Sequence, residues 1–244
     1  MLIGRPSKGD FIIIAGGDEA GRGAVLGPLV IGVVSMSSAK ATKLSKIGVR
    51  DSKLLTPRKR EFLFEEIHSM ASEVKSYSIS PLEINNAMKS NISLNELEAI
   101  CLSRLIDSLE DVDTVYLDSP DVVQERFGAR ISLLSKKPMK GLGIKKAIKR
   151  QHDAIKMISE HKADLKYPVV SAASIIAKVT RDREIEHISQ TLGFDIGSGY
   201  ASDGQTIEVI KDNLNNPSFM PYVREYWKTM TDIRQLKMNE FLKK

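Results

Sequence analysis

The chain has 244 residues, of which 42% are hydrophobic and 27% charged, and it carries a net charge of +5. This is an ordinary soluble globular composition, with apolar material for a sizeable core and no run near the ~18 apolar residues of a membrane helix. A single cysteine, Cys101, excludes an internal disulfide framework and a cysteine-based zinc site, and MLIGRPSKGD lacks the apolar stretch of a secretory signal, so a reducing, cytoplasmic setting is expected.

FIIIAGG (11–17) predicts a buried strand, and PLVIGVVSM (28–36) a second, joined to the first by a glycine-rich turn and expected to pair with it antiparallel. Residues 56–73 predict a helix, with Thr56 as N-cap and Pro57 in the first turn. KSYSIS (75–80) alternates like a strand. Residues 93–110 have helical periodicity and a Ser-x-x-Glu capping box from Ser93 to Glu96. DTVYLDSP (113–120) and AIKMISEH (154–161) read as further strands. A long helix opens at Pro168, and its first turns, Val169 to Ala177, are small or apolar on almost every face, which sends it through the core. From about residue 203 the chain reads as helices broken by Pro217 and Pro221. There is no internal repeat and no low-complexity tract. The expected class is α/β: a mixed β-sheet flanked by helices, with a helical C-terminal region.

Four carboxylates fall at the ends of these strands or against the long helix: Asp18, Glu19, Asp118 and Asp164. Burying a carboxylate is costly unless it is paired. Several at one sheet edge read together as a hard-oxygen site for Mg²⁺ or Mn²⁺. The histidines (His68, His152, His161 and His187) lack metal-site spacing. Neighbouring strand residues face opposite ways. Asp18 and Glu19 therefore reach one ion only if the strand twists out at the glycines, or if one acid works through its carbonyl or a water. Gly21 and Gly23 let a ligand approach the backbone, and Arg22 between them suits a phosphate. Between Lys136 and Lys156 lie Lys137, Lys140, Lys145, Lys146, Lys149 and Arg150 against one acid, Asp153. That run is either a solvated face or a phosphate-contacting surface.

DEAGRG (18–23) fits neither the P-loop nor the dinucleotide fingerprint. It resembles the N-terminal signature of the type 2 ribonucleases H, the ribonuclease HII family. DSKLL (51–55), YLDSP (116–120), HKADLKYPVVSAASIIAKVTRD (161–182), GSGYASDGQT (197–206) and VREYWKT (223–229) resemble further segments of that family in the same order, and the long block is most similar to archaeal and eukaryotic members. Gly17, Ala24, Ala201 and Gly204 depart from its usual residues and bear on loop rigidity, not on a catalytic side chain. The resemblance implies a ribonuclease H-like fold and an endonuclease that hydrolyses the RNA strand of RNA/DNA hybrids and cuts at single ribonucleotides in duplex DNA, leaving 3′-hydroxyl and 5′-phosphate ends. It implies Asp18, Glu19, Asp118 and Asp164 as catalytic acids holding two divalent ions, Mg²⁺ or Mn²⁺. It implies that Gly21, Arg22, Gly23 and Tyr200 read the ribonucleotide 2′-hydroxyl; Lys53 reads as a phosphate contact or as a surface lysine. Ser174 and Lys178 on the long helix read equally as support for metal or phosphate and as helix packing. Arg181, Asp182, Arg183 and Glu184 read as a surface ion-pair cluster.

The chain closes on QLKMNEFLKK, where Gln235, Met238, Phe241 and Leu242 resemble the box that binds the sliding clamp (PCNA); an amphipathic last helix docking on its own domain is the alternative. The expected organisation is a catalytic domain over 1–200, a helical region over 201–234 and a clamp-binding tail over 235–244, in a monomer. Two competing functions remain: a nuclease for DNA alone, which has no use for Gly21-Arg22-Gly23 and Tyr200, and a clamp-tethered binding protein without catalysis, which has no use for four acids.

Overall fold

A computed structural model describes residues 12–49, 55–141 and 154–241. Six strands form one mixed sheet: β1 (Ile13–Ala20), β2 (Leu29–Ser37), β3 (Glu73–Ile79), β4 (Thr114–Asp118), β5 (Met139–Lys140) and β6 (Ile155–Glu160). Their order is β3-β2-β1-β4-β6-β5, and β4 runs parallel to both β1 and β6. The strands expected at 11–17, 28–36, 75–80, 113–120 and 154–161 all form, with ends shifted by a few residues.

The helices follow their caps. In α2 (Pro57–Met70), Thr56 Oγ1 accepts the Lys59 amide at 3.3 Å, as the sequence predicts. Ahead of α4 (Leu94–Asp107), Ser93 Oγ accepts the Glu96 amide at 3.2 Å. Among the described residues, helices α1 (Ser38–Lys46), α3 (Pro81–Lys89) and α5 (Gln124–Leu134) lie outside the sequence reading, as does the short helix that carries Asp164. α1 buries only Ala41 and Leu44, too few apolar positions to show a period. α3 carries a full capping box, Ser80 with Glu83, and a proline in its first turn. α5 begins without a side-chain cap.

A short helix, α6 (Ala163–Lys166), leads into α7 (Pro168–Leu192). A Cβ on Gly16 of β1 would lie 2.5 Å from the Val170 amide nitrogen, and one on Gly32 of β2 would lie 2.5 Å from the Ala173 carbonyl oxygen. The backbone of α7 therefore rests directly on the two strands. Only small residues fit that contact, which is why Ser171, Ala172, Ala173 and Ala177 are almost wholly buried there.

The described residues divide into two compact units. The first runs to Glu19 and takes in Ile31–Tyr77 and Glu98–Val179. Its core joins β2, α1, α2 and α7 through residues such as Met36, Leu44, Leu63, Ile67, Val170 and Ile176. The second unit consists of Ala20–Val30, Ser78–Leu97 and the chain from Thr180. It holds α8 (Gly204–Asn213), a 3₁₀ turn (Met220–Tyr222) and α9 (Lys228–Phe241), around Leu26, Ile188, Ile210, Phe219 and Met230. Burial of each such side chain contributes about 1.5–3 kcal/mol.

Candidate active site

In the first unit, β1 delivers Asp18 and Glu19, and β4 ends on Asp118. The parallel register pairs Gly17 with Leu117, so one step further Asp18 and Asp118 stand abreast, on the same face of the sheet. β1 stays a regular strand through Ala20, with Asp18 buried (6% exposed) and Glu19 half-buried. Asp164 is 4% exposed and sits in α6, which Lys162 enters in the left-handed conformation (φ 57°). Asp118 Oδ1 accepts the Ala163 amide at 2.9 Å, and Ser171 Oγ donates to the Asp164 carbonyl.

Burial pushes the Asp18 carboxyl up to about 7, and the neighbouring Asp118 charge adds to the rise. A hydrogen bond from Ser174, one from the Glu19 amide (2.8 Å) and the positive charge of Lys178 oppose it. Lys178 Nζ in turn donates to Ser174 Oγ at 2.8 Å. Ser174 is also buried in the helix (1% exposed), so the reading as helix packing stands beside the reading as support for metal or phosphate. Two carboxylates side by side, one of them buried with its charge under-compensated, make an all-oxygen donor set that a divalent cation relieves. Among the described residues, no three Asp, Glu, His or Cys side chains are grouped tightly enough to enclose an ion. Asp18 and Asp118 are the pair the structure brings together.

In the second unit, Gly21 has φ +87°, and its amide neighbourhood is closed: a Cβ there would overlap Arg181 Nε and Cδ and lie 2.8 Å from the Pro28 carbonyl oxygen. Gly23 is exposed, and a Cβ there meets nothing within 4 Å. Glycine at 21 answers to the fold. At 23 no described residue demands it. The Ala24 amide donates to the Gly21 carbonyl (3.1 Å) and closes the turn. The Arg22 guanidinium donates to Asn95 Oδ1 at the start of α4.

The Gly-Ser-Gly-Tyr segment is bonded to this turn. The Gly199 carbonyl accepts the amides of Val25 (2.8 Å) and Leu26 (3.0 Å), and Ala24 and Tyr200 form an antiparallel bridge. Asp203 caps α8; its bonds from Ser198 (2.6 Å) and Gln205 (3.1 Å) hold its carboxyl down at about 2.

Arg181 corrects the sequence reading of a surface ion-pair cluster. It is 4% exposed, its guanidinium lies 4.5 Å from the centre of the Tyr200 ring, and its Nη2 donates to the Ser198 carbonyl at 2.8 Å. Burial lowers its pKa from the usual guanidinium value, against the pull of Tyr200 and Asp182. Arg224 is fully buried as well; it donates to the carbonyls of Gly27 (2.9 Å) and Arg22 (3.2 Å) and stacks near Trp227. Sequence reasoning singled out neither for this.

Gln235 and Met238 are exposed on α9, which continues to Phe241. The Phe241 side chain, Leu242, Lys53 and residues 142–153 of the basic run lie outside the described residues.

Comparison with known proteins gives one answer. The family profile described as Ribonuclease HII matches residues 15–230. A Ribonuclease HII of Pyrococcus furiosus is 40% identical over 241 residues, spanning 95% of this chain and 99% of its own. The crystal structure of ribonuclease H2 from Pyrococcus horikoshii superposes with a TM-score of 0.76 at 41% identity, covering 92% of this chain and 98% of that one. A structure of the PCNA:RNase HII complex from Archaeoglobus fulgidus superposes with a TM-score of 0.75 at 38% identity, covering 89% and 96%.

Proposed function

The chain belongs to the ribonuclease HII family, with its ribonuclease H fold and its metal-dependent, hydrolytic cleavage of RNA strands, and on that premise we propose that it cuts both RNA/DNA hybrids and single ribonucleotides embedded in duplex DNA, leaving 3′-hydroxyl and 5′-phosphate ends. The observation that carries the proposal is the abreast placement of Asp18 and Asp118 at the ends of adjoining parallel strands, with the Asp18 carboxyl pushed up to about 7.

Asp18, Glu19, Asp118 and Asp164 are the residues assigned to hold two divalent ions, Mg²⁺ or Mn²⁺. Bound there, such ions supply the positive charge that activates the attacking water and stabilises the leaving 3′-oxygen. The protein's own part is to hold and aim the carboxylates. Ser174 and Lys178 favour the charged form of Asp18. The Asp118–Ala163 bond fixes the start of the helix that carries Asp164. Glu19 follows Asp18 on the same strand and is half-buried, beside the ion that Asp18 would hold.

In the second unit, Gly21, Arg22, Gly23 and Tyr200 are assigned to recognise the ribonucleotide. The openness around Gly23 supports backbone contact with the 2′-hydroxyl, the group that separates RNA from DNA. Lys53 is assigned a phosphate contact. Gln235, Met238, Phe241 and Leu242 are assigned to a sliding clamp, a reading supported by the exposure of the first two and by the relative whose structure is of a PCNA:RNase HII complex. The working unit is taken to be a cytoplasmic monomer.

One assay tests the core of this reading. Duplexes that are all DNA, or that contain one ribonucleotide or a long RNA stretch, are incubated with and without Mg²⁺ or Mn²⁺, and the product ends are mapped. Cleavage confined to the ribonucleotide-containing duplexes, and only with metal, is expected. Equal cutting of the all-DNA duplex sinks the assignment of the ribonucleotide readers, and cutting by the Asp118→Asn protein sinks that of the acids.

A further inference from the structure

Arg181 makes three contacts whose targets are all residues of the proposed ribonucleotide reader or its loop. Its guanidinium carbon Cζ lies 4.5 Å from the centre of the Tyr200 ring, Nη2 donates to the Ser198 carbonyl at 2.8 Å, and Nε and Cδ fill the space a side chain at Gly21 would need. A Cβ on Gly199 would also lie 3.0 Å from Nη2. A guanidinium can lie over a ring and donate from its edge to a carbonyl at once, with a fixed fork that an ammonium lacks; a neutral chain does neither. A guanidinium at 4% exposure is costly to bury. Residues that served packing alone would be replaced at lower cost by an apolar side chain.

We propose that Arg181 is a positioning residue for ribonucleotide recognition: it holds the Tyr200 ring in the orientation that the reader needs. The proposal rests on the reading of Tyr200 given above. Arg181 touches no substrate atom in this scheme. It acts through Tyr200, so its contribution to cleavage exists only while the ring is there to be held. Without it, the ring samples other rotamers and the productive orientation must be found anew at each encounter.

A double-mutant cycle on the full-length protein reads this directly. The quantity is kcat/KM on a duplex with one embedded ribonucleotide, at saturating Mg²⁺ and well below the melting temperature of every variant. Arg181→Met and Tyr200→Ala are each expected to lower it about tenfold, while the double variant falls no more than about twofold below Tyr200→Ala alone. In a Tyr200→Phe background, which keeps the ring, Arg181→Met is expected to retain its full cost. A brace that merely stabilised the fold would give effects that multiply in every background. Multiplication to about a hundredfold overturns the proposal and leaves the reading of Tyr200 standing. Full activity of Tyr200→Ala overturns both. Should Arg181→Met fail to fold, Arg181→Lys, which keeps the buried charge and loses the plane, is carried through the same cycle and judged by the same criteria.

Discussion

The Asp118 carboxylate accepts the Ala163 amide at 2.9 Å, so a side chain assigned to an ion also anchors the residue just before Asp164. Charge and geometry are thereby separable by substitution. Asp118→Asn keeps an oxygen for the amide and removes the charge; Asp118→Ala removes both and leaves the buried Ala163 amide without that acceptor. Asp118→Asn is expected to lose cleavage by about a hundredfold or more while melting close to the parent. Asp118→Ala is expected to lose activity and a further 1–3 kcal/mol of stability, roughly. Paired melting curves and kcat/KM values check this, and equal melting of the two variants would show that the anchor does not matter.

The raised carboxyl of Asp18 sets a direction with pH. The native protein holds that proton up to about pH 7, whereas the unfolded chain releases it near the ordinary value of 3.8. The native state therefore binds more protons in the window between, and this group's contribution to stability falls as pH rises from about 4 to about 7, then stays level. Chelator-treated protein is expected to gain stability on acidification across that window, and Asp18→Asn to flatten the gain. A divalent ion must displace the proton, so metal affinity should rise with pH to about 7 and binding should release protons below it. Titration calorimetry in buffers of different ionisation enthalpy measures that release; its absence at pH 6 would count against Asp18 as a ligand.

The two glycines flanking Arg22 are expected to fail differently. Gly21→Ala meets Arg181 and the Pro28 carbonyl at φ +87° and should cost about 2 kcal/mol or more. Gly23→Ala meets no described residue within 4 Å and should melt with the parent, yet lose cleavage at a single ribonucleotide if nucleic acid passes close to that backbone. An active, discriminating Gly23→Ala protein would remove Gly23 from the reader.

For the tail, Met238→Ala is expected to weaken binding to an archaeal-type clamp and to leave cleavage of a short duplex unchanged, because Met238 is 58% exposed. Phe241→Ala should abolish clamp binding. Size-exclusion and calorimetric measurements with the clamp decide, and unaltered binding of Phe241→Ala would discard the tail assignment.

Much of this was written locally in the sequence. Thr56 and Ser93 announce their helices, and the apolar strands ending on Asp118 and leading to Asp164 mark both acids as unusual, because a carboxylate beside a buried strand needs a reason. Arg181 was illegible for the opposite cause. Its partners, the Tyr200 ring and the Ser198 carbonyl, come from a distant loop, and an arginine among Asp182, Arg183 and Glu184 looks solvated until that loop is in place. Gly17, a departure from the family's usual residue, sits in close packing: Leu117 and Leu102 reach to 2.7 and 3.0 Å of where its Cβ would be. α1 escaped notice because two buried residues carry no period.

The seating of α7 on Gly16 and Gly32 has a mechanical meaning. Most helices meet a sheet through a layer of side chains that yields a little under load. Here peptide groups meet peptide groups, with no such cushion, along the stretch of helix that carries Ser174 toward Asp18. Strand and helix must then shift as one stiff body, and thermal motion that would blur the spacing of a nearby carboxylate and hydroxyl has little compliance to work through. For an enzyme whose acids must hold their mutual distance while like charges push them apart, that stiffness does the work that a flexible interface would leave to chance.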